Sequence, residues 1–532
     1  MANTAARVAL PDSPAGVVGA GTMGSGIAQV AAIGGIEVRL FDVAEGAANA
    51  AHGRIHEQLN RSVERGRIEE GVAARAIARI QTVDAIEELG DCFIVIEAVA
   101  EKLEIKQQLF SQLAALTEPG TVFATNTSSL PVTAIAAGVP QPERIVGMHF
   151  FNPVPLMKLV EVVAGINSGE TALATARAVA AKMGREAIDA ADGPGFLVNR
   201  VSRPFLLEAQ QLLQERVSDH ETIDRIVRLG GGFRMGPFEL SDLVGIDVGY
   251  DIAKSFFELS HGEPRWRPSG IPARMVAAGR LGRKTKHGYY EYPEQGDYRP
   301  PDPPPQQLSS PSGGVDVFGT GEVATQIRRL AEAAGYDVAA AADMPRTLVV
   351  DARINGAGQG LEQISAPVAV LCAGSSLASA AHGRDFVGFH CLPPLAELRA
   401  IELTRGFGTS DASDAVAAHF FHAIGKHVIR VGDAPGLVLG RIVCQLINEA
   451  AFAVQEGVGS AADIDKGVQM GLNYPRGLLS WCDLIGAEHV VGMLDALQRE
   501  IGGDRYRAAP LLRRMVAEGR SGHSAGAGFY AY

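Results

Sequence analysis

Long segments of this chain recur in the same order on either side of a proline-rich stretch, so whatever it folds into is built twice. The run GVVGAGTMGSGIAQVAAIGGIEV (16–38) returns as DVFGTGEVATQIRRLAEAAGYDV (316–338), and HFFNPVPLMKLVEV (149–162) as HCLPPLAELRAIEL (390–403). DGPGFLVNR (192–200) returns as DAPGLVLGR (433–441), FRMGPFELSDLVG (233–245) as YPRGLLSWCDLIG (474–486), and GRKTKHGYYEY (282–292) as GHSAGAGFYAY (522–532). Ordered self-similarity on this scale marks a duplicated structural plan. Between Asp297 and Gly314 the text DYRPPDPPPQQLSSPSGG has the composition of an extended, solvated spacer, which places the major boundary there. At 532 residues the chain exceeds one core, and roughly 150 residues per domain gives three or four domains.

In each copy, apolar β-rich runs alternate with amphipathic stretches, as a doubly wound parallel sheet requires. GVVGA, VRLFD, CFIVIEA, TVFATN and RIVGMHF read as strands of the first sheet. From about Gly195, apolar residues recur at spacings of three and four, as in GFLVNRVSRPFLLEAQQLL, so helices follow. Gly19, Gly21 and Gly24 form GxGxxG between an apolar strand and a helix, with Thr22 and Met23 inside the same loop. Such glycines permit a tight turn and bring backbone N–H groups up to a pyrophosphate at a positive helix N-terminus. Asp42 ends the next strand at the distance where a carboxylate accepts both ribose hydroxyls and repels a 2′-phosphate, so NAD is favoured over NADP. The fold class is therefore α/β plus all-α: a Rossmann-type doubly wound sheet followed by a helical domain, the plan duplicated with a degenerate, shorter second Rossmann-like domain. The expected divisions are 1–190 for the NAD-binding sheet domain with a helical hairpin insert, 191–296 helical, 297–314 linker, 315–432 the second sheet domain and 433–532 the second helical domain.

His149 closes one strand, and Glu161 follows in MKLVEVV after a turn containing Pro153 and Pro155. Val160 and Val162 share one face of that strand while Glu161 points to the other. A chain reversal over residues 152–155 brings Glu161 back against the imidazole. Such a pair suits removal of a hydroxyl proton while a hydride leaves for a nicotinamide. Histidine titrates near neutrality, and the carboxylate fixes its tautomer and stabilises the imidazolium that forms.

NTSSL (126–130), HFFNPVPLMKLVEV (149–162), DGPGFLVNR (192–200), MGPFEL (235–240) and GRKTKHGYY (282–290) together make residues 15–292 resemble the L-3-hydroxyacyl-CoA dehydrogenase family. The resemblance implies a general base at His149, an orienting carboxylate at Glu161, and hydrogen bonds to the substrate around its reacting oxygen from Ser128 and Asn199. It also implies NAD contacts at Asp42, Glu101, Lys106, Ser128, Asn152 and Lys284. Glu101 and Lys106 near a helix start also read as solvated charges, and Lys284 also as part of a plain surface loop. The family holds CoA on a hairpin after the second strand, here about 44–80, where Arg54, Arg61 and Arg65 lie along one helix face and form a basic stripe for phosphates or a solvated charged face.

The second copy departs from the pattern. Its glycine motif reads GTGEVA with Ala324 in place of the third glycine, and no aspartate follows at the required distance. His390, Glu402 and Ser375 match His149, Glu161 and Ser128, but Pro393 replaces Asn152 and Gly440 replaces Asn199. It reads as a structural copy. The two-copy layout resembles the bacterial branch of phenylacetate breakdown acting on 3-hydroxyadipyl-CoA, whose terminal carboxylate has a candidate partner in Arg203, also readable as a surface residue. The alternatives are a 3-hydroxybutyryl-CoA dehydrogenase, an idle acyl-CoA-binding protein, and a dehydrogenase of free hydroxy or sugar acids.

A formal net charge of −12 argues against nucleic acid or anionic membrane as partner. Cys92, Cys372, Cys391, Cys444 and Cys482 are odd in number, widely spaced and without a CxxC pair, as in a reducing compartment. Without a signal segment or a spanning apolar run, the cytoplasm is the expected location and no metal site is expected. Family members dimerise through their helical domains, so a homodimer or an intrachain pseudo-dimer is expected.

Overall fold

The computed structural model describes residues 9–307, 313–338, 346–361 and 363–532. The first sheet comprises β1 (Ala15–Val18), β2 (Val38–Phe41), β3 (Ile80–Val83), β4 (Ile94–Glu97), β5 (Val122–Thr125), β6 (Ile145–Phe150), β7 (Leu159–Ala164) and β8 (Glu186–Ala191). Their order is β3-β2-β1-β4-β5-β6-β7-β8, parallel except for the antiparallel β6–β7 pair. β1, β4 and β5 are buried from end to end, as strands covered by helices on both faces must be. The edge strands β3 and β8 escape the sequence reading, because IQTV and EAIDAA both carry exposed polar residues that interrupt the apolar run. Helix α1 (Thr22–Ile33) follows β1, the hairpin α2 (Ala47–Glu64) and α3 (Glu70–Ala78) is inserted between β2 and β3, and α4 (Leu103–Leu116) follows β4. The strand order reverses at β1, and a crevice at such a switch point is where open α/β sheets take ligands.

Helices α5 (Arg203–Gln214), α6 (His220–Gly231), α7 (Pro237–Val244) and α8 (Ile246–Leu259) come next. The proline-rich stretch, where described, is not a solvated spacer. Its prolines hold an extended backbone from which Asp302 accepts hydrogen bonds from Arg228 at 2.8 and 3.1 Å, and Arg299 pairs with Glu239. The Tyr298 ring packs on Tyr290 and Tyr292, so side-chain contacts override a composition that favours solvent. Residues 308–312 of that stretch lie outside the described residues.

The second sheet has β9 (Gly314–Phe318), then helix α9 (Glu322–Ala334), β10 (Arg346–Asp351), β11 (Val368–Leu371), β12 (Phe386–His390), β13 (Ala400–Arg405) and β14 (His427–Arg430), ordered β14-β13-β12-β11-β10-β9. Among the described residues it has no counterpart of β2, β3 or the hairpin. Between α9 and β10 the described residues make a single bridge, Gly314 to Asp337. The shorter second Rossmann-like domain is thus one flank of a sheet. Helices α10 (Leu439–Gln455) and α11 (Ala461–Leu472) follow.

Two compact units cut across the copies: residues 1–200 with 457–472, and 201–456 with 473–532. Helix α11, from the second copy, therefore belongs with the first sheet, where Ala191 N donates to Val458 O at 2.8 Å and Lys466 pairs with Glu186 at 2.8 Å. In the other unit, α6 from the first copy lies on β13, and Gly432 N donates to Val217 O at 2.7 Å. The duplicated halves have exchanged equivalent helices. The same unit pairs α5 with α10 around Arg441, whose buried guanidinium reaches Glu208 and Glu215 at 2.6 Å and the Tyr506 hydroxyl at 2.8 Å. No described helix is long and apolar enough to cross a membrane.

Candidate active site

The glycine loop shows why each glycine is there. Gly19 has φ +101°, and a methyl on it would lie 2.5 Å from Ala98 O. A methyl on Gly24 would overlap Gly19 O. Gly21 differs from both: nothing lies within 4 Å of where its side chain would be, and it caps α1 with no side-chain hydrogen bond and no acid in the first turn. The helix N-terminus is thus left open to an anion, and Thr22 and Met23 begin that helix. Asp42 is fixed at the tip of β2 by Ala20 N at 2.7 Å and Ala44 N at 2.9 Å, which aims its carboxylate at the same loop. These features fit a dinucleotide.

Lys106 is not a solvated charge, and Glu101, though partly exposed, is tied by an ion pair and several hydrogen bonds. The Lys106 ammonium is wholly buried between Glu97, 2.5 Å away, and Glu101, 3.2 Å away. A cation at that depth requires paired carboxylates. Glu101 in turn accepts from Thr127 Oγ1 at 2.6 Å, from the backbone N–H of Ser128 and of Ser129 at 3.1 Å, and from Ser129 Oγ at 2.9 Å. Burial works to raise the Glu101 pKa, but the Thr127 hydrogen bond and the Lys106 charge hold it below the usual range. Glu97 and Thr127, absent from the sequence reading, thereby fix the loop that carries exposed Ser128. The only sequence signal for Glu97 is a charged residue closing an otherwise apolar strand.

His149 and Glu161 are direct cross-strand partners in the β6–β7 pair. Glu161, fully buried, accepts from His149 Nδ1 at 2.5 Å through one oxygen and from the backbone N–H groups of Leu197 and Val198 at 3.1 and 2.8 Å through the other. With Nδ1 donating, Nε2 of the neutral ring is the acceptor. Phe151 and Phe196 flank the imidazole at 4.8 and 5.6 Å between centroids. Phe196 has φ +51°, a strained conformation for a bulky residue, and the turn it forms delivers the two amides to Glu161. Asn199 follows them in the short helix Val198–Val201. Asn126 accepts from Phe150 N at 2.9 Å and pins the end of the histidine strand.

Beside the glycine loop, α2 and the turn carrying Asn152 enclose a groove of about 680 Å³. Arg54, Arg61 and Arg65 all border it, so the basic stripe faces a cavity rather than open solvent alone. Arg54 also donates to Ala20 O at 3.0 Å, and Arg61 is 3.8 Å from Glu57. Lys284 lies in the other unit, paired with Asp247 at 2.6 Å. Arg203 is no surface residue: half-buried, it lies 5.1 Å over the Phe256 ring, and burial draws its pKa down to about 10.

The second copy keeps the register but not the chemistry. His390 and Glu402 are again opposed, yet neither ring nitrogen of His390 has a hydrogen-bond partner. Glu402 instead caps α10 through Val438 N and Leu439 N at 2.8 Å, and a side chain at Gly440 would strike the His390 ring. Burial pushes His390 well below its usual pKa and raises Glu402 to about 8. The cavity at this copy's glycine loop holds about 20 Å³, space for one water.

The family described as 3-hydroxyacyl-CoA dehydrogenase, NAD binding domain, matches residues 14–193, and its C-terminal domain matches 195–292 and 436–532. The 3-hydroxyadipyl-CoA dehydrogenase of Escherichia coli K12 is 34% identical over 94% of this chain and 96% of its own length. A probable 3-hydroxybutyryl-CoA dehydrogenase of Bacillus subtilis is 43% identical over 52% of this chain and 97% of its own. Among solved structures, a 3-hydroxybutyryl-CoA dehydrogenase from Escherichia coli K12 superposes with a TM-score of 0.81 at 32% identity, covering 96% of this chain and 99% of that one.

Proposed function

Because the chain belongs to the 3-hydroxyacyl-CoA dehydrogenase family, we propose that its first copy oxidises an L-3-hydroxyacyl-CoA to the 3-oxoacyl-CoA with His149 as general base. The observation that carries this reading is the buried Glu161 carboxylate, held by two amides and presented to His149 Nδ1. Glu161 fixes the tautomer that leaves Nε2 free to take the substrate's hydroxyl proton, and it balances the imidazolium charge that results. Ser128 and Asn199 hold the reacting oxygen. The open N-terminus of α1, Asp42 and Asn152 hold NAD, which supplies the hydride acceptor. Glu101 contributes by fixing the Ser128 loop, and Lys106 contributes through Glu101. Arg54, Arg61 and Arg65 meet the CoA phosphates in the groove beside α2.

The substrate this reading favours is 3-hydroxyadipyl-CoA, as in phenylacetate breakdown. It rests on the Escherichia coli relative of that name, which matches along both copies. Arg203 is the candidate partner for the terminal carboxylate. A butyryl substrate is favoured by the Bacillus relative, 43% identical over 52% of this chain. Five free, buried thiols fit a cytoplasmic setting. NADH absorbance with 3-hydroxybutyryl- and 3-hydroxyadipyl-CoA ranks the tails, with His149→Ala alongside. Loss of a general base costs about 10²–10⁴-fold in turnover. Undiminished turnover in that variant would overturn the assignment of the base. Arg203→Met is expected to raise KM for the adipyl thioester and leave the butyryl KM unchanged.

A further inference from the structure

We propose that α11, a helix of the second copy, positions the catalytic pair of the first, with Gly467 as the residue that sets the position. The inference rests on the reading of His149 and Glu161 given above and extends the machinery to a residue far along the chain.

Residues 457–472 leave their own copy and join the first sheet, anchored at one end by Ala191 N to Val458 O and at the side by Lys466 to Glu186. Along its length the segment meets the catalytic surroundings through glycines. A methyl on Gly459 would lie 2.6 Å from Leu197 Cδ2, one on Gly467 2.7 Å from Val198 Cγ2, and one on Gly471 2.9 Å from Leu159 Cδ2. Gly471 also faces Phe151, whose ring flanks His149. Leu197 and Val198 are the residues whose backbone N–H groups hold Glu161. The helix therefore backs the strained turn that aims those amides, at a distance where a side chain on any of these glycines pushes against Leu197, Val198 or Leu159.

The exchanged helix of the first copy supplies the contrast. In the alignment that pairs Val217 with Val458 and Gly230 with Gly471, Gly467 is matched by Ile226 in α6. Helix α6 backs the copy in which His390 has no partner. That helix keeps a close glycine of its own, Gly231, whose methyl would lie 2.9 Å from Leu439 Cδ1, so what is particular to the side where His149 and Glu161 are joined is the glycine at 467. Displacing the turn by a few tenths of an ångström moves both amides relative to Glu161, and an error of about 1 Å in catalytic geometry costs about 10²-fold.

Gly467→Ala in the full-length protein tests this, because alanine is the better helix former and leaves α11 itself no weaker. The expected result is a fall in kcat of about tenfold or more, with KM for NAD unchanged and melting little altered. Val198→Ala, which removes the nearer of the two methyls the new side chain meets and leaves Ile188 Cδ1 at 3.0 Å, is expected to restore most of the loss when combined with Gly467→Ala. In NMR, the His149 Nδ1 proton is expected to shift in Gly467→Ala and return in the double variant, whether or not any thioester is turned over. A wild-type protein without turnover would defeat the functional reading and leave that resonance to decide on α11. An unmoved resonance, unchanged kcat in an active enzyme, or a loss that Val198→Ala does not relieve would overturn the inference.

Discussion

The Glu161 carboxylate shows how much one buried charge constrains. It has no solvent to fall back on, so each missing donor costs about 1–3 kcal/mol. His149→Ala removes one donor and is expected to lower melting as well as turnover, whereas His149→Gln keeps an amide in place. Glu161→Gln is expected to cost about 10²–10⁴-fold in kcat with KM for NAD unchanged, since it loses the charge that stabilises the imidazolium. Its second-copy counterpart, Glu402, makes a pH prediction for stability. Burial raises Glu402 to about 8 in the folded chain from an ordinary value of 4.5. Across that interval the unfolded chain gives up the proton first, so stability falls as pH rises from about 4.5 to 8. Melting followed from pH 5 to 8.5 is expected to show this decline, and Glu402→Gln to flatten it. At this scale the sequence was a good guide where a side chain acts locally. Asp42 and the His149–Glu161 pairing follow from strand ends and alternation. Lys106 did not, because nothing in its neighbours announces that Glu97, nine positions earlier on another element, will bury it.

Elements fail differently from residues. The glycine loop carries three glycines with three separate reasons, and substitutions should separate them. Gly24→Ala has no room against Gly19 O, and loss of stability is expected. Gly21→Val has room but fills the space at the mouth of α1, so a folded protein with KM for NAD raised at least tenfold is expected. Differential scanning fluorimetry with and without NAD distinguishes the two. The alternation of strand and helix was legible because each central strand is a continuous apolar run. The edge strands were not, since half-exposed strands carry a weaker period. Composition misled at the proline-rich stretch, where Arg228, Asp302 and Tyr298 make contacts that residue frequencies do not encode.

For the whole molecule, duplication was visible as repeated text, but the exchange of α6 and α11 was not. A repeat tells how many times a plan occurs and leaves open which copy each helix serves. A fragment ending at residue 296 lacks α11, so it is expected to show less than a tenth of the specific activity of the full chain. Full activity in a monomeric fragment would argue that the second copy is dispensable. Because the helix that backs the first site is tethered to it, its effective concentration does not depend on how much enzyme is present. Specific activity should hold from micromolar to nanomolar protein, where an assembly of separate subunits would come apart. The tether also changes what selection has to preserve: once one helix of the second copy serves the first, that copy can lose the third glycine of its loop and the hydrogen bond between its histidine and its carboxylate without the chain losing its chemistry.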